Sequence, residues 1–204
     1  VDTFLAERFA ARGQISLVNH RDHLADRPLA TRENLKRAIA RLAERSGPED
    51  LIFIYLTSHG SADHQLVLAQ PGLALEDLPA EDLAALMQPL ADRNKILVIS
   101  ACYSGGFIEP LKSPNTLVIT AARADRVSFG CSEESDFTYF GRALFAEALQ
   151  ETSDIVQAFT LAQAKVAERE QADHYQASEP QIWAPEQVVE HWRKLSNRQP
   201  VPSD

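Results

Sequence analysis

Three short runs of the chain are apolar almost throughout: LIFIYL from Leu51 to Leu56, KILVIS from Lys95 to Ser100 and TLVIT from Thr116 to Thr120. A strand that carries apolar side chains on both faces must be covered on both, so these runs predict parallel strands buried between helix layers. The segments around them change period. Leu35, Ala38, Ile39 and Leu42 share one face between Glu33 and Arg45, behind Thr31 as N-cap and ahead of the breaker Gly47-Pro48. Leu83, Leu86, Met87 and Leu90 form a second stripe, and Phe140, Leu144 and Ala148 a third. A fourth runs through Ile155, Val156, Phe159, Ala162 and Val166, with Ser153 as its cap. Strands alternating with helices predict a three-layer α/β/α sandwich with a mainly parallel sheet.

The ends are less regular. Residues 4–11 predict a helix closed by Gly13, and Gln14 to Val18 a short strand. Gln181-Ile182-Trp183 predicts a last strand, a helix follows from Pro185 to Leu195, and Pro200 to Asp204 reads as a frayed tail. The pattern divides into a main domain over 1–183 and a C-terminal helix and tail over 184–204. An α/β sheet normally opens with a strand, whereas this chain opens in a helix. The sheet's first strand is therefore expected upstream of residue 1, in a longer exported or membrane-anchored protein of which this is a soluble domain.

Composition narrows the function. The 204 residues suit one domain, and 45% hydrophobic with 24% charged residues are ordinary for a soluble globular protein. A formal net charge of −9 gives nucleic-acid binding no electrostatic support. No run approaches the roughly 18 apolar residues of a membrane-spanning helix. Two cysteines, Cys102 and Cys131, are too few for a disulfide scaffold.

Open α/β sheets bind ligands outside the carboxyl ends of their strands. LIFIYL runs into Thr57-Ser58-His59-Gly60, and KILVIS into Ala101-Cys102-Tyr103-Ser104-Gly105-Gly106. If those strands pair, their axes lie about 4.8 Å apart, and the thiol and imidazole beyond them can share one gap. The imidazole can then activate the thiol and protonate a leaving amine, while the flanking glycines let a substrate backbone approach. Taken singly, each residue has a plainer reading. A cysteine after an apolar strand is most often a packed thiol, and a strand-end histidine an ordinary loop residue. Their joint placement favours catalysis.

Other candidates are weaker. His20, Asp22 and His23 could hold a metal, but such spacing in a polar loop is more simply solvated. Ser104 lacks the Gly-x-Ser-x-Gly elbow of a serine hydrolase, so a loop-shaping hydrogen bond is expected of it. Cys131 reads as a satellite thiol, and Asp63 and His64 as the rim of a groove. Arg123, Asp125 and Arg126 are either substrate contacts or a surface ion-pair cluster.

Thr57-Ser58-His59-Gly60-Ser61 and Ser100-Ala101-Cys102-Tyr103-Ser104-Gly105-Gly106 resemble the two catalytic motifs of the legumain-type (asparaginyl endopeptidase) cysteine peptidases. Caspases, gingipains and separase share the pattern more loosely. Thr120-Ala121-Ala122, Ser128-Phe129-Gly130-Cys131 and Thr138-Tyr139-Phe140-Gly141 extend the resemblance over about residues 51–150. It implies a caspase-like fold, a peptide or protein substrate, and neither a metal nor an organic cofactor. It also implies Cys102 as nucleophile, His59 as proton donor to the leaving amine, and the N–H groups of Gly60 and Cys102 as oxyanion hole. Ser100, Arg142 and Ser128 become expected substrate-binding residues. Two of them depart from the family, which has acidic residues where Ser100 and Arg142 stand, so a preference for acidic or neutral polar residues before the cut bond is expected. A transpeptidase or ligase on the same fold remains an alternative. So does a non-catalytic caspase-like binding domain, although the intact Cys102 and His59 speak against it.

Overall fold

The computed structural model describes residues 1–23, 25–130 and 138–197. Helices α1 (Asp2–Phe9) and α2 (Arg32–Arg45) lead to β1 (Ile52–Thr57). A two-stranded excursion, β2 (Gln65–Leu66) and β3 (Leu78–Pro79), runs directly into α3 (Ala80–Leu86). Then come β4 (Lys95–Ser100), α4 (Ile108–Leu111) and β5 (Thr116–Thr120). Helix α5 (Tyr139–Gly141) continues through a π-helical stretch (Arg142–Ala148) into α6 (Leu149–Glu151). The chain closes with α7 (Ile155–Ala172), β6 (Gln181–Trp183) and α8 (Glu186–Ser196).

The main sheet has the order β1-β4-β5-β6, with the first three strands parallel and β6 antiparallel to β5. The three apolar runs are therefore side by side, with β4 between the other two. All six positions of β4 are buried, which is why its sequence shows no period-2 alternation. Its side chains still alternate in space. Ile96 and Val98 join a core with Phe140, Leu144, Phe145, Phe159 and Val166, whereas Leu97 and Ile99 face Ile39, Leu83, Leu90 and Phe107. Two apolar layers thus clamp one sheet, and each fully buried Phe, Leu or Ile supplies roughly 1.5–3 kcal/mol. The sandwich predicted from the sequence is the fold observed.

Side-chain caps open α2, α5 and α7. The Thr31 hydroxyl caps α2 by accepting the Asn34 N–H at 3.1 Å. For α7 the cap is Asp154, one residue beyond the predicted Ser153, and its carboxylate accepts the N–H groups of Val156 and Gln157. Two predictions near the N-terminus fail. Helix α1 ends at Phe9, where Ala10 turns left-handed at φ 48°, ahead of Gly13. Gln14 to Val18 forms no strand, and Ile15 is exposed. Tertiary packing decides the first, because Phe4 meets Phe145 edge-on at 5.9 Å and Phe9 lies 4.6 Å from Trp192. Trp192, Val188 and Val189 of α8 enter that same core. No helix among the described residues is long and apolar enough to cross a membrane.

Candidate active site

Parallel pairing of β1 with β4 ends with Thr57 opposite Ser100, and the Ser58 N–H still reaches the Ser100 carbonyl at 3.3 Å. Two residues further along each chain stand His59 and Cys102. The backbones remain in contact there. A Cβ built on Gly60 would lie 2.1 Å from the Cys102 carbonyl oxygen and 3.2 Å from the Ala101 Cβ. Only a residue without a side chain fits that approach.

The histidine turn is fixed by a short antiparallel return of the chain. The Val67 N–H donates to the His59 carbonyl at 2.9 Å, and the Ser58 hydroxyl donates to the Val67 carbonyl at 2.5 Å. The Ser61 N–H donates to the Gln65 carbonyl at 3.1 Å, which makes Gly60 and Leu66 the non-hydrogen-bonded pair of this bridge. Gly60's own N–H therefore points away from β2 and stays available. The His59 side chain is exposed, and among the described residues its ring takes no hydrogen bond.

Cys102 is half-buried and enclosed by the segment after β5. Its Sγ accepts the Ser128 N–H at 3.3 Å and can donate to the Ser128 carbonyl at 3.4 Å, with the Ser128 hydroxyl 3.9 Å away. The carbonyl suits the neutral thiol and the N–H suits a thiolate, so one residue supports the sulfur in either state. Tyr103, next in the chain, has φ 57°, a conformation that non-glycine residues hold only when their surroundings impose it. Its N–H donates to the Arg126 carbonyl at 2.7 Å. The buried Ser104 hydroxyl accepts the Ala122 N–H at 3.2 Å, the loop-shaping role expected of it.

The same segment is tied down at its far side. Phe129 stacks on Tyr175 with ring centroids 4.2 Å apart and accepts the Tyr139 N–H at its carbonyl. The Tyr139 hydroxyl donates to Asp173, which pushes its pKa up to about 12. Arg123 binds Asp125 and Glu179, and Arg126 approaches Glu179 at 3.8 Å. The hydrogen bond from Arg123 holds the Asp125 carboxyl below its ordinary range. Of the two readings offered for Arg123, Asp125 and Arg126, the ion-pair cluster is the one observed.

The sequence model of the peptidase C13 family matches residues 34–190, more than three quarters of the chain. The chain belongs to that family. Human legumain is 34% identical over 99 residues, which is 48% of this chain and 22% of legumain. The vacuolar-processing enzyme delta-isozyme of Arabidopsis thaliana is 30% identical over 92 residues, 42% of this chain and 19% of its own. The peptidase C13 chain thus spans about a fifth of the length of these curated relatives. The crystal structure of caspase-1 from Spodoptera frugiperda superposes with a TM-score of 0.58 at 18% identity, over 90% of this chain and 76% of that one. The fold is caspase-like.

The expected pocket residues of this peptidase C13 chain separate in space. Ser128 lies against Cys102, chiefly through its backbone. Ser100 has no exposed surface, and its hydroxyl shares a 2.8 Å hydrogen bond with that of Thr138, which caps α5 by accepting the Gly141 N–H. It therefore links β4 to α5. Arg142 is 66% exposed and pairs with Glu147 at 3.2 Å, a carboxylate that Arg169 also binds. These ion pairs hold the guanidinium along its own helix. His20 and His23 turn to Asp22 and Asp26 in their own loop, and among the described residues no three metal-ligating side chains converge. Cys131 and Asp136 lie outside the described residues. Sequence reading missed the cradling role of the Ser128 backbone and the left-handed turn at Tyr103. Neither has a local signal, since both depend on contacts some 25 residues away.

Proposed function

We propose that this chain is the catalytic domain of a cysteine endopeptidase in which Cys102 is the nucleophile and His59 the general acid and base. The observation that carries the reading is the contact between the His59-Gly60 turn and the Cys102 backbone at the carboxyl ends of adjacent parallel strands. Membership of the peptidase C13 family supports the reaction class.

In the proposed reaction His59 takes the Cys102 thiol proton as the sulfur attacks the scissile carbonyl carbon, and the carbonyl oxygen becomes an oxyanion. The N–H groups of Gly60 and Cys102 donate to it; such donors are worth about 10²–10³ in kcat each. Collapse breaks the C–N bond, and His59 delivers a proton to the departing amine. A thioester remains on Cys102. His59 then takes a proton from water, whose oxygen attacks the thioester, and the new acid leaves as the thiol is regenerated. The Ser128 N–H supports the sulfur when it carries charge, and its carbonyl receives the thiol hydrogen at rest.

The test combines covalent labelling by an acyloxymethylketone peptide probe with turnover of a fluorogenic peptide panel. Cys102→Ala is expected to abolish both while leaving the thermal midpoint nearly unchanged. His59→Ala is expected to lower kcat by several orders of magnitude. Labelling that persists in Cys102→Ala, or turnover that survives His59→Ala, would overturn the assignment.

A further inference from the structure

The nucleophile turn is gripped from two sides, and only one grip comes from the segment after β5. The other comes from His64, five residues beyond the proposed general acid. His64 is half-buried with φ 59°. Its N–H donates to the Ser61 carbonyl at 3.0 Å, and its carbonyl accepts the Ala80 N–H at 3.1 Å, where α3 begins. The ring reaches across to the other catalytic loop, with Nδ1 3.2 Å from the Tyr103 carbonyl oxygen. A carbonyl only accepts, so Nδ1 carries the hydrogen in this contact. The ring also lies flat against Gly106, where an added Cβ would stand 2.1 Å from its Cγ and 2.2 Å from its Nδ1.

We infer that His64 is a positioning residue for the nucleophile, holding the left-handed Tyr103 peptide so that Cys102 keeps its place beside His59. This rests on the peptidase reading above. Tyr103 is fixed at both ends, its N–H by the Arg126 carbonyl and its C=O by His64 together with the Gly106 N–H at 3.2 Å, the latter a local turn bond that leaves His64 as the tie to the other turn. A residue in the left-handed region drifts toward its ordinary conformations once such ties are cut, and Cys102 is covalently next to it. His64 also joins the two catalytic turns physically, since Ser61 and Gly60 belong to the turn that carries His59. Gly106 is required because the imidazole occupies the space a side chain would need.

The experiment measures kcat, KM and the pH profile of the full chain on a fluorogenic peptide. His64→Asn keeps an N–H donor near the Nδ1 position and tolerates a positive φ, so kcat is expected to stay within about threefold. His64→Leu keeps bulk without the donor, and kcat is expected to fall roughly 10- to 100-fold with KM changed less than about threefold. The acid limb of the pH profile is expected to stay put in His64→Asn, as it does when the titrating histidine is another one. Gly106→Ala, which displaces the ring, is expected to match His64→Leu in the parent but to change nothing further in a His64→Gly background; this cycle decides the matter if His64→Leu does not fold. An active parent with His64→Leu within twofold of it overturns the inference alone, as does His64→Asn falling as far as His64→Leu. An inactive parent overturns the peptidase reading and the inference with it.

Discussion

Gly60→Ala tests the closeness of the two turns of the proposed site in a single methyl group. Gly60 has no left-handed φ, so the substitution introduces no backbone strain of its own; what it needs is space. The new Cβ would stand 2.1 Å from the Cys102 carbonyl oxygen, and Cβ contacts below 3.0 Å essentially never occur. The turns must therefore separate by about 0.9 Å at the least, and the atom that the new Cβ overlaps is backbone, so no side-chain rotation relieves the overlap. Misplacing reacting groups by about 1 Å costs on the order of 10²-fold in rate, or about 2.7 kcal/mol in the barrier. The Gly60 N–H, one of the two proposed oxyanion donors, moves with the turn and adds to the loss. The folded state should lose about 1–3 kcal/mol, the usual range for overpacking. The assay is kcat and KM on a fluorogenic peptide, alongside the alkylation rate of Cys102 by iodoacetamide. Alkylation requires only the sulfur, so it should fall far less than turnover. A folded Gly60→Ala enzyme with kcat within threefold of the parent would refute the reasoning, because the two turns would then work without their contact.

Two further outcomes follow from charged groups. Lys95 opens β4 at 3% exposure with its ammonium on the carbonyls of Leu90 and Arg93, and burial pushes its pKa down to about 8. Between about pH 8 and 10.5 the unfolded chain holds a proton that the folded chain lacks, so stability should rise with pH in that window. The gain approaches on the order of 3 kcal/mol relative to Lys95→Met, read from denaturant midpoints, and a pH-independent difference would refute it. Arg142→Glu should change the ratio of kcat/KM for Asp and Lys substrates by less than about threefold, because Arg142 is exposed and already paired with Glu147. A reversal of preference would mean that the guanidinium reaches the bound substrate.

What the sequence disclosed and what it withheld have a common cause. Strands apolar on both faces can only be central, so β1, β4 and β5 were legible from LIFIYL, KILVIS and TLVIT alone. Their carboxyl ends then located His59 and Cys102, since the order of elements in an α/β sheet decides which edge is open. Short elements at the N-terminus were not legible. A five-residue run such as Gln14 to Val18 has no partner specified locally, and the packing of Phe4 and Phe9 on Phe145 and Trp192 overrode the glycine signal at Gly13. Within the proposed site, residues placed by their own strand ends were legible, whereas those placed through a distant backbone were not. His64 illustrates the limit. Sequence position suggested a groove rim, but its contact with Tyr103 spans 39 residues and appears only once α3 and the β2–β3 pair fix its backbone.

The same distinction bears on substrate choice. The expected preference for acidic or neutral residues assumed that Ser100 and Arg142 face the substrate where relatives carry carboxylates. At an effective dielectric near 20, a unit charge about 4 Å away would be worth roughly 4 kcal/mol. Ser100 is sealed beneath Thr138, however, and an ionised carboxylate in its fully buried place would need partners that this neutral hydroxyl pair does not provide. Arg142 is offset by Glu147 and open to solvent, where such pairs contribute about 0–1 kcal/mol. Neither position delivers its charge to the neighbourhood of Cys102. Among the described residues, the segment that sets the neutral Ser128 backbone against Cys102 also carries Arg126, whose own carbonyl holds Tyr103 while its guanidinium approaches Glu179 at 3.8 Å. A substrate carboxylate that reached Arg126 would have to compete with Glu179 for the guanidinium. Discrimination against basic residues should accordingly be weaker than a tally of lost carboxylates suggests, and it should fade as salt screens the exposed Glu179.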